Sequence, residues 1–191
     1  MAVQYVNRRG QVFYLHEGST RSGKPKYYFS LKGEGTLAES VPDGFEIYEN
    51  PNARVVLRRI QPKIITDEEI ETVHRAMQQF YRGKHYRLEV KKDIISVFVP
   101  DQDLAGLTAL FRRFPAAREV DVGAMVESFI SYSPMLRFIL IDREQRRFKA
   151  QRYCYLGSVD DWIDIGPPGT LESLLKAYVK HLGQESYYEL Y

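Results

Sequence analysis

The sequence predicts an α+β fold, and three observations carry the prediction. Residues 3–60 break into short apolar and aromatic runs separated by turn signals, with no helical period. Thr66-Asp67-Glu68-Glu69 then opens a stretch in which Ile70, Val73, Met77, Phe80 and Tyr81 recur at helical spacing. Beyond Gly83, alternating segments and helical stripes follow one another to the end of the chain. The expected organisation is a small antiparallel β-rich unit over residues 1–62, a connecting helix over 63–83 and a mixed α+β domain over 84–191.

In the first unit, Val12 to His16, Tyr27 to Phe29, Phe45 to Tyr48 and Val55 to Leu57 read as strands. Pro42-Asp43-Gly44 and Asn50-Pro51-Asn52 supply the turns between them, because Pro fixes φ and Asn tolerates left-handed backbone. Pro62 closes the unit. Thr66 caps the connecting helix, Glu69 can reach back to the cap, and Gly83 is placed to end it.

In the last domain, His85 to Val90 and Ile94 to Val99 flank Lys91-Lys92-Asp93 as a β-hairpin. Asp101 opens a helix carrying Leu104, Leu107, Leu110 and Phe111, ended by Pro115. Residues 122–133 fit a helix through Val122, Met125, Val126, Phe129 and Ile130, and a strand through Val126, Ser128, Ile130 and Tyr132; the helical reading is preferred. Leu136 to Asp142, Phe148 to Leu156 and Asp161 to Ile165 read as strands. Thr170 caps a final helix with Leu171, Leu174, Leu175, Tyr178, Val179 and Leu182 on one stripe, and Gly183 follows it.

A chain of 191 residues, 44% hydrophobic and 27% charged, is ordinary for a globular protein, which sets aside bulk disorder, collagen and coiled coil. The first residues hold no uninterrupted apolar run of the roughly 7–15 residues a secretory signal requires. No stretch approaches the ~20 apolar residues of a membrane span. One cysteine cannot form an internal disulfide. A cytoplasmic setting with no membrane partner is therefore expected.

Two segments imitate phosphate-binding loops. Gly18-Ser19-Thr20-Arg21-Ser22-Gly23-Lys24 fits seven positions of a P-loop, but Pro25 stands where the magnesium-holding hydroxyl belongs, and the strand-like Lys26 to Ser30 follows instead of a helix. Gly166-Pro167-Pro168-Gly169-Thr170 resembles the opening of the nucleotide-binding loop of AAA-type ATPases. Leu171-Glu172-Ser173 follows in place of Gly-Lys-Thr, so no function is carried over. A hairpin loop and the entry to a capped helix are the preferred readings.

The histidines, His16, His74, His85 and His181, form no short ligand pair, and no metal or other cofactor is expected. Asp160, Asp161 and Asp164 cluster around Trp162. On a strand, Asp160, Trp162 and Asp164 share one face, where two carboxylates could hold magnesium or act as an acid/base pair, although exposed carboxylates at a strand edge are the commoner case. Cys154 reads as a small buried hydrophobe.

Charge resolved along the chain is the clearest lead toward a partner. The net charge is +2, yet residues 1–63 carry ten Lys/Arg against six Asp/Glu and residues 101–191 eleven against thirteen. The chain holds 14 Tyr, and several of these lie among the amino-terminal cations. A basic and aromatic patch of Arg8, Arg9, Tyr14, Lys24, Lys26, Tyr28, Arg58 and Arg59 is accordingly the candidate ligand-binding surface. The leading expectation is a non-catalytic binding module engaging a protein partner or a second copy of itself. Nucleic-acid binding by the basic unit is the alternative. A third reading is an enzyme whose site is assembled between the units and shows no motif, with Asp160, Asp164 and a histidine as first suspects. Tyr187, Tyr188, Leu190 and Tyr191 are too apolar for an idle tail; they are expected to dock on the protein's own sheet, a partner's sheet edge or a separate protein.

Overall fold

The computed structural model describes residues 1–81, 85–113, 122–156 and 159–191. These residues form ten strands in three sheets and four α-helices, a mixed α+β fold as the sequence patterns predict. They fall into two compact units, neither of them continuous in sequence: Met1–Ile60 with Gln102–Ser131, and Gln61–Asp101 with Tyr132–Tyr191.

In the first unit, β1 (Gln4–Val6), β2 (Val12–Ser19) and β3 (Pro25–Ser30) make an antiparallel sheet in that order. Ser19 pairs with Pro25, so the P-loop lookalike is a hairpin turn, closed by the Thr20 N–H on the Lys24 carbonyl at 2.8 Å. The chain after β3 crosses the face bearing Tyr14 and His16. Lys32 offers its carbonyl to the His16 Nε2–H at 2.8 Å, and Leu37 bridges His16 from the far edge of β2. Gly33 makes this passage fit, since a Cβ there would lie 3.2 Å from the Tyr14 ring.

β4 (Phe45–Glu49) and β5 (Val55–Arg59) form a second hairpin. Its turn holds Ala53 at a left-handed φ of 62°. The Asn50 side chain, which accepts from the N–H groups of Asn52 and Arg54, and buried Asn7, which donates to the Ala53 carbonyl, over-determine that conformation. Two helices complete the unit: α2 (Leu104–Phe111), capped by Asp103, and α3 (Val122–Phe129), which pack against each other. Over 122–133 the preferred helical reading holds: Val126 and Ser128 lie within α3, and Ile130 follows it outside any strand. The helix ends at Phe129 and a strand begins at Tyr132.

In the second unit, β6 (Arg87–Lys91), β7 (Ile94–Pro100), β8 (Tyr132–Asp142), β9 (Arg147–Leu156) and β10 (Val159–Thr170) form an antiparallel sheet ordered β10-β9-β8-β7-β6. Cross-strand register sets its two faces. Val90, Ile95, Phe138, Ala150 and Ile165 stand opposite one another in a row across all five strands, on the side that α1 (Asp67–Phe80) and α4 (Leu171–Tyr178) cover. Val73 and Met77 of α1 and Leu174 and Leu175 of α4 fill this core. The capping box at Thr66 forms as its spacing predicts, with Glu69 returning to the Thr66 N–H at 2.9 Å. The predicted end of this helix at Gly83 and that of α2 at Pro115 lie outside the described residues. Gly166 to Thr170 differ from the loop expected there. They belong to β10, whose ladder shifts register between Ile165 and Gly169, and Thr170 then caps α4.

The tyrosine-rich tail docks on its own unit. Tyr187 is buried in the core, and Arg152, only 1% exposed, donates from Nε to the Leu190 carbonyl at 2.8 Å and from Nη2 to that of Tyr188 at 3.1 Å. Cys154 is buried, in line with its reading as a small hydrophobe.

Candidate functional site

The eight residues of the expected basic and aromatic patch all lie in the first unit, and most are engaged within it. Arg8 pairs with Glu49 at 3.2 Å and donates to the Asn50 carbonyl. Arg9 donates to the Ile130 carbonyl. Arg58 pairs with Glu46 at 2.8 Å, its guanidinium 3.8 Å above the Tyr48 ring, and Arg59 lies 5.3 Å from the Phe45 ring centre. Tyr14 lies beneath Gly33. Lys24 and Lys26 are exposed. Lys26 and Tyr28 come together: the ammonium stands 5.5 Å from the ring centre, and the ring, 46% exposed, stacks at 5.1 Å on buried His16. The structure therefore makes one aromatic–cation step on the β2–β3 hairpin, while the arginines serve loops and the β4–β5 pair.

A more concentrated constellation lies on the second unit, on the sheet face opposite α1 and α4. One residue out of step with the apolar row, Glu89, Ser96, Arg137, Gln151 and Asp164 face one another across all five strands. Arg137 donates to the Gln151 Oε1, and Gln151 Nε2 donates to Asp164. Lys149 reaches the same carboxylate at 3.1 Å. Hydrogen bonds from Gln151, foremost, and from Lys149 hold the Asp164 carboxyl below the usual carboxylate range. Burial lowers the Arg137 guanidinium from its ordinary value, opposed by the charges of Asp161 and Asp164.

Beside this chain of polar groups lie three rings. Arg137 sits 4.3 Å over Trp162; Trp162 meets Tyr153 edge-on at 5.0 Å; Tyr153 meets Tyr155 at 4.6 Å. Pairing of Tyr153 with Trp162 and of Tyr155 with Asp160 places them on one face. Tyr155 is 53% exposed. The Tyr153 hydroxyl donates to the Asp160 carbonyl at 3.2 Å, and hydrogen bonding to the Asp160 side chain, foremost, raises the phenol above its ordinary value.

Asp160, Trp162 and Asp164 do share a face, as alternation predicts. The Asp164 carboxylate, held ionised by an amide and an ammonium, is a poor proton donor. Among the described residues no three His, Cys, Asp or Glu side chains converge as a metal site. Arg137, Lys149, Gln151, Tyr153 and Tyr155 were not singled out by sequence, although β9 carries the signal. There Lys149, Gln151, Tyr153 and Tyr155 alternate with Phe148, Ala150 and Cys154, which divides the strand into a wet side and a dry one. Elsewhere on this unit, a shallow depression lined by Asp67, Glu68, Glu71 and Arg75 is open to solvent at the start of α1.

Fold and face together define an α+β chain with an aromatic, carboxylate-bordered sheet surface. No family model, curated protein or solved structure matches the chain. Among the described residues no helix is long and apolar enough to cross a membrane.

Proposed function

We propose that this chain is a non-catalytic binding module that takes a protein partner on the Tyr153–Tyr155–Trp162 face. The observation that carries the reading is the exposed ring of Tyr155, continuous with Tyr153 and Trp162 and opposite the exposed carboxylate of Asp160. Rings offer a negative π-face and area at low entropic cost, and carboxylates beside them favour a cation. The partner chemistry that fits is a polypeptide segment presenting Lys or Arg. The same carboxylates oppose a phosphate backbone here. A cytoplasmic setting suits a lone buried thiol, Cys154, which stays reduced there.

Trp162 is the only tryptophan in the chain, so its fluorescence reports on this face directly. Titration with a Lys/Arg-rich peptide is expected to change the Trp162 emission saturably, and an acidic peptide of equal length is not. Tyr155→Ala is expected to weaken the basic peptide roughly two- to thirty-fold, the loss of about 0.5–2 kcal/mol from one cation–π contact. Equal responses to both peptides, or none to either, reject the reading.

A second reading, single-stranded nucleic acid on the β2–β3 hairpin, is favoured by the exposed Tyr28 ring with Lys26 beside it. Binding of an oligonucleotide that weakens with salt and is lost in Tyr28→Ala supports it. Binding indifferent to salt counts against it.

A further inference from the structure

We propose that the exposed face of α2 is the contact between two copies of this chain, paired antiparallel about a two-fold axis through the middle of the helix. The sequence of α2, LAGLTALF, holds no charged residue. A helix apolar on all sides is ordinarily buried on all sides. Here, of the residues whose burial is described, Leu104, Leu107 and Thr108 are half-buried, while Ala105, Gly106, Ala109 and Leu110 are exposed. Leu110 is 50% exposed, and Phe129 at the end of the neighbouring α3 is 58% exposed. The exposed positions recur at spacings of three and four, forming one stripe that continues into Arg113. Small residues at Ala105 and Ala109 let a second backbone approach closely, the Asp103 carboxylate covers Gly106, and Leu110 supplies apolar area.

Charge selects a second copy as the occupant. Asp103, exposed, stands at the amino end of the stripe and Arg112 and Arg113, exposed, at its carboxyl end, with only uncharged residues between. At 1.5 Å per residue these ends are about 14 Å apart. A two-fold axis at the middle of α2 sets the acidic end of one copy against the arginine end of the other, twice. The surface is complementary to itself, as an isologous interface requires. Asp103 spends one oxygen on the Ala105 N–H as the helix cap, at 3.1 Å, and its carboxylate has lone pairs left for a guanidinium. A parallel pairing would set like charges together at both ends.

Sedimentation velocity of the full chain over a range of concentrations tests this. The chain is expected to pass from monomer to dimer as concentration rises, and Leu110→Glu, with its circular dichroism unchanged, is expected to lose the dimer. Asp103→Lys alone, and Arg112→Glu/Arg113→Glu alone, each set like charges across both contacts and are expected to lose it too. An equimolar mixture of those two proteins restores both opposite pairs and is expected to recover the dimer. Asp103→Asn keeps the helix cap and separates loss of charge from loss of helix: it is expected to weaken the dimer with the helix intact. A monomer at every concentration overturns the proposal, as does a dimer indifferent to Leu110→Glu. A monomer that instead floats with vesicles containing anionic lipid assigns the stripe to a membrane surface and overturns it as well.

Discussion

The hydroxyl of Tyr187 accepts the backbone N–H of Tyr153 at 3.2 Å. It donates its own hydrogen to the Met135 carbonyl. The direct pairing of β8 with β9 extends only as far as Leu136 and Arg152, so the phenol takes the place of the next rung, where Met135 and Tyr153 have separated. A side chain from the tail thereby fixes the backbone of a residue whose ring belongs to the candidate binding face.

Tyr187→Phe is expected to cost about 1–3 kcal/mol, because it leaves a buried N–H and carbonyl without partners. Burial, foremost, raises the Tyr187 phenol above its ordinary value, so the folded protein resists its ionisation more than the unfolded chain does. That contribution is present in full below the unfolded phenol pKa of about 10 and is lost as pH rises toward the higher folded value. Urea unfolding midpoints at neutral pH and above about pH 10 check both points. The wild type loses stability over that interval, and the Phe variant, weaker at the outset, loses less.

Arg152→Met keeps an apolar stem in place and removes both bonds to the tail carbonyls. We expect a loss of about 1–3 kcal/mol in urea unfolding and earlier carboxypeptidase trimming of residues 188–191. A tail that resists trimming as well as in the wild type refutes this role for the guanidinium.

Gly166 has φ of 61°, and a Cβ there would overlap the Tyr178 hydroxyl while standing 3.3 Å from its Cζ. Gly166→Ala should therefore cost about 2–3 kcal/mol, part for left-handed backbone and part for the clash. In a Tyr178→Phe background the clash is relieved, and the cost should fall to about 1 kcal/mol. The four proteins of this cycle, compared by denaturant unfolding, decide it. Equal costs in both backgrounds contradict the assigned contact.

Gln151→Ala removes the foremost cause of the depressed Asp164 carboxyl. Its titration, followed by carbon NMR of the side chain, should move up toward the ordinary carboxylate range, with Lys149 still holding it somewhat lower. A depressed carboxyl contributes stability above the unfolded pKa of about 3.9 that is lost as pH falls through the folded one. The variant should accordingly give up less stability in acid.

Local signals proved readable where one element was made by its own residues. Thr66 and Glu69 announce the start of α1 because both halves of the capping box are local in sequence, and Lys91-Lys92-Asp93 marks the β6–β7 turn for the same reason. The stretch 122–133 reads two ways because it contains the end of one element and the approach to another; of the alternating positions, only Tyr132 lies in a strand. The candidate sites are a different matter. Arg8, Arg9 and Arg58 advertise positive charge in the sequence, whereas their neutralising partners, Glu49, the Ile130 carbonyl and Glu46, are up to 121 positions away. Arg137 and Gln151 are ordinary residues until register sets them side by side. A face made of three strands has no local motif.

The interleaved chain also bears on synthesis. Strands β7 and β8 are neighbours in one sheet, yet the whole α2–α3 segment of the other unit lies between them. A ribosome releasing this protein exposes β1 to β5 long before the helices that complete their unit. The five-stranded sheet in turn waits with β6 and β7 alone until β8 emerges. Closing that long loop raises the entropic cost of the central pairing and slows it. For that interval the nascent chain carries two unfinished cores and a bare β7 edge, a period in which a chaperone has most to protect.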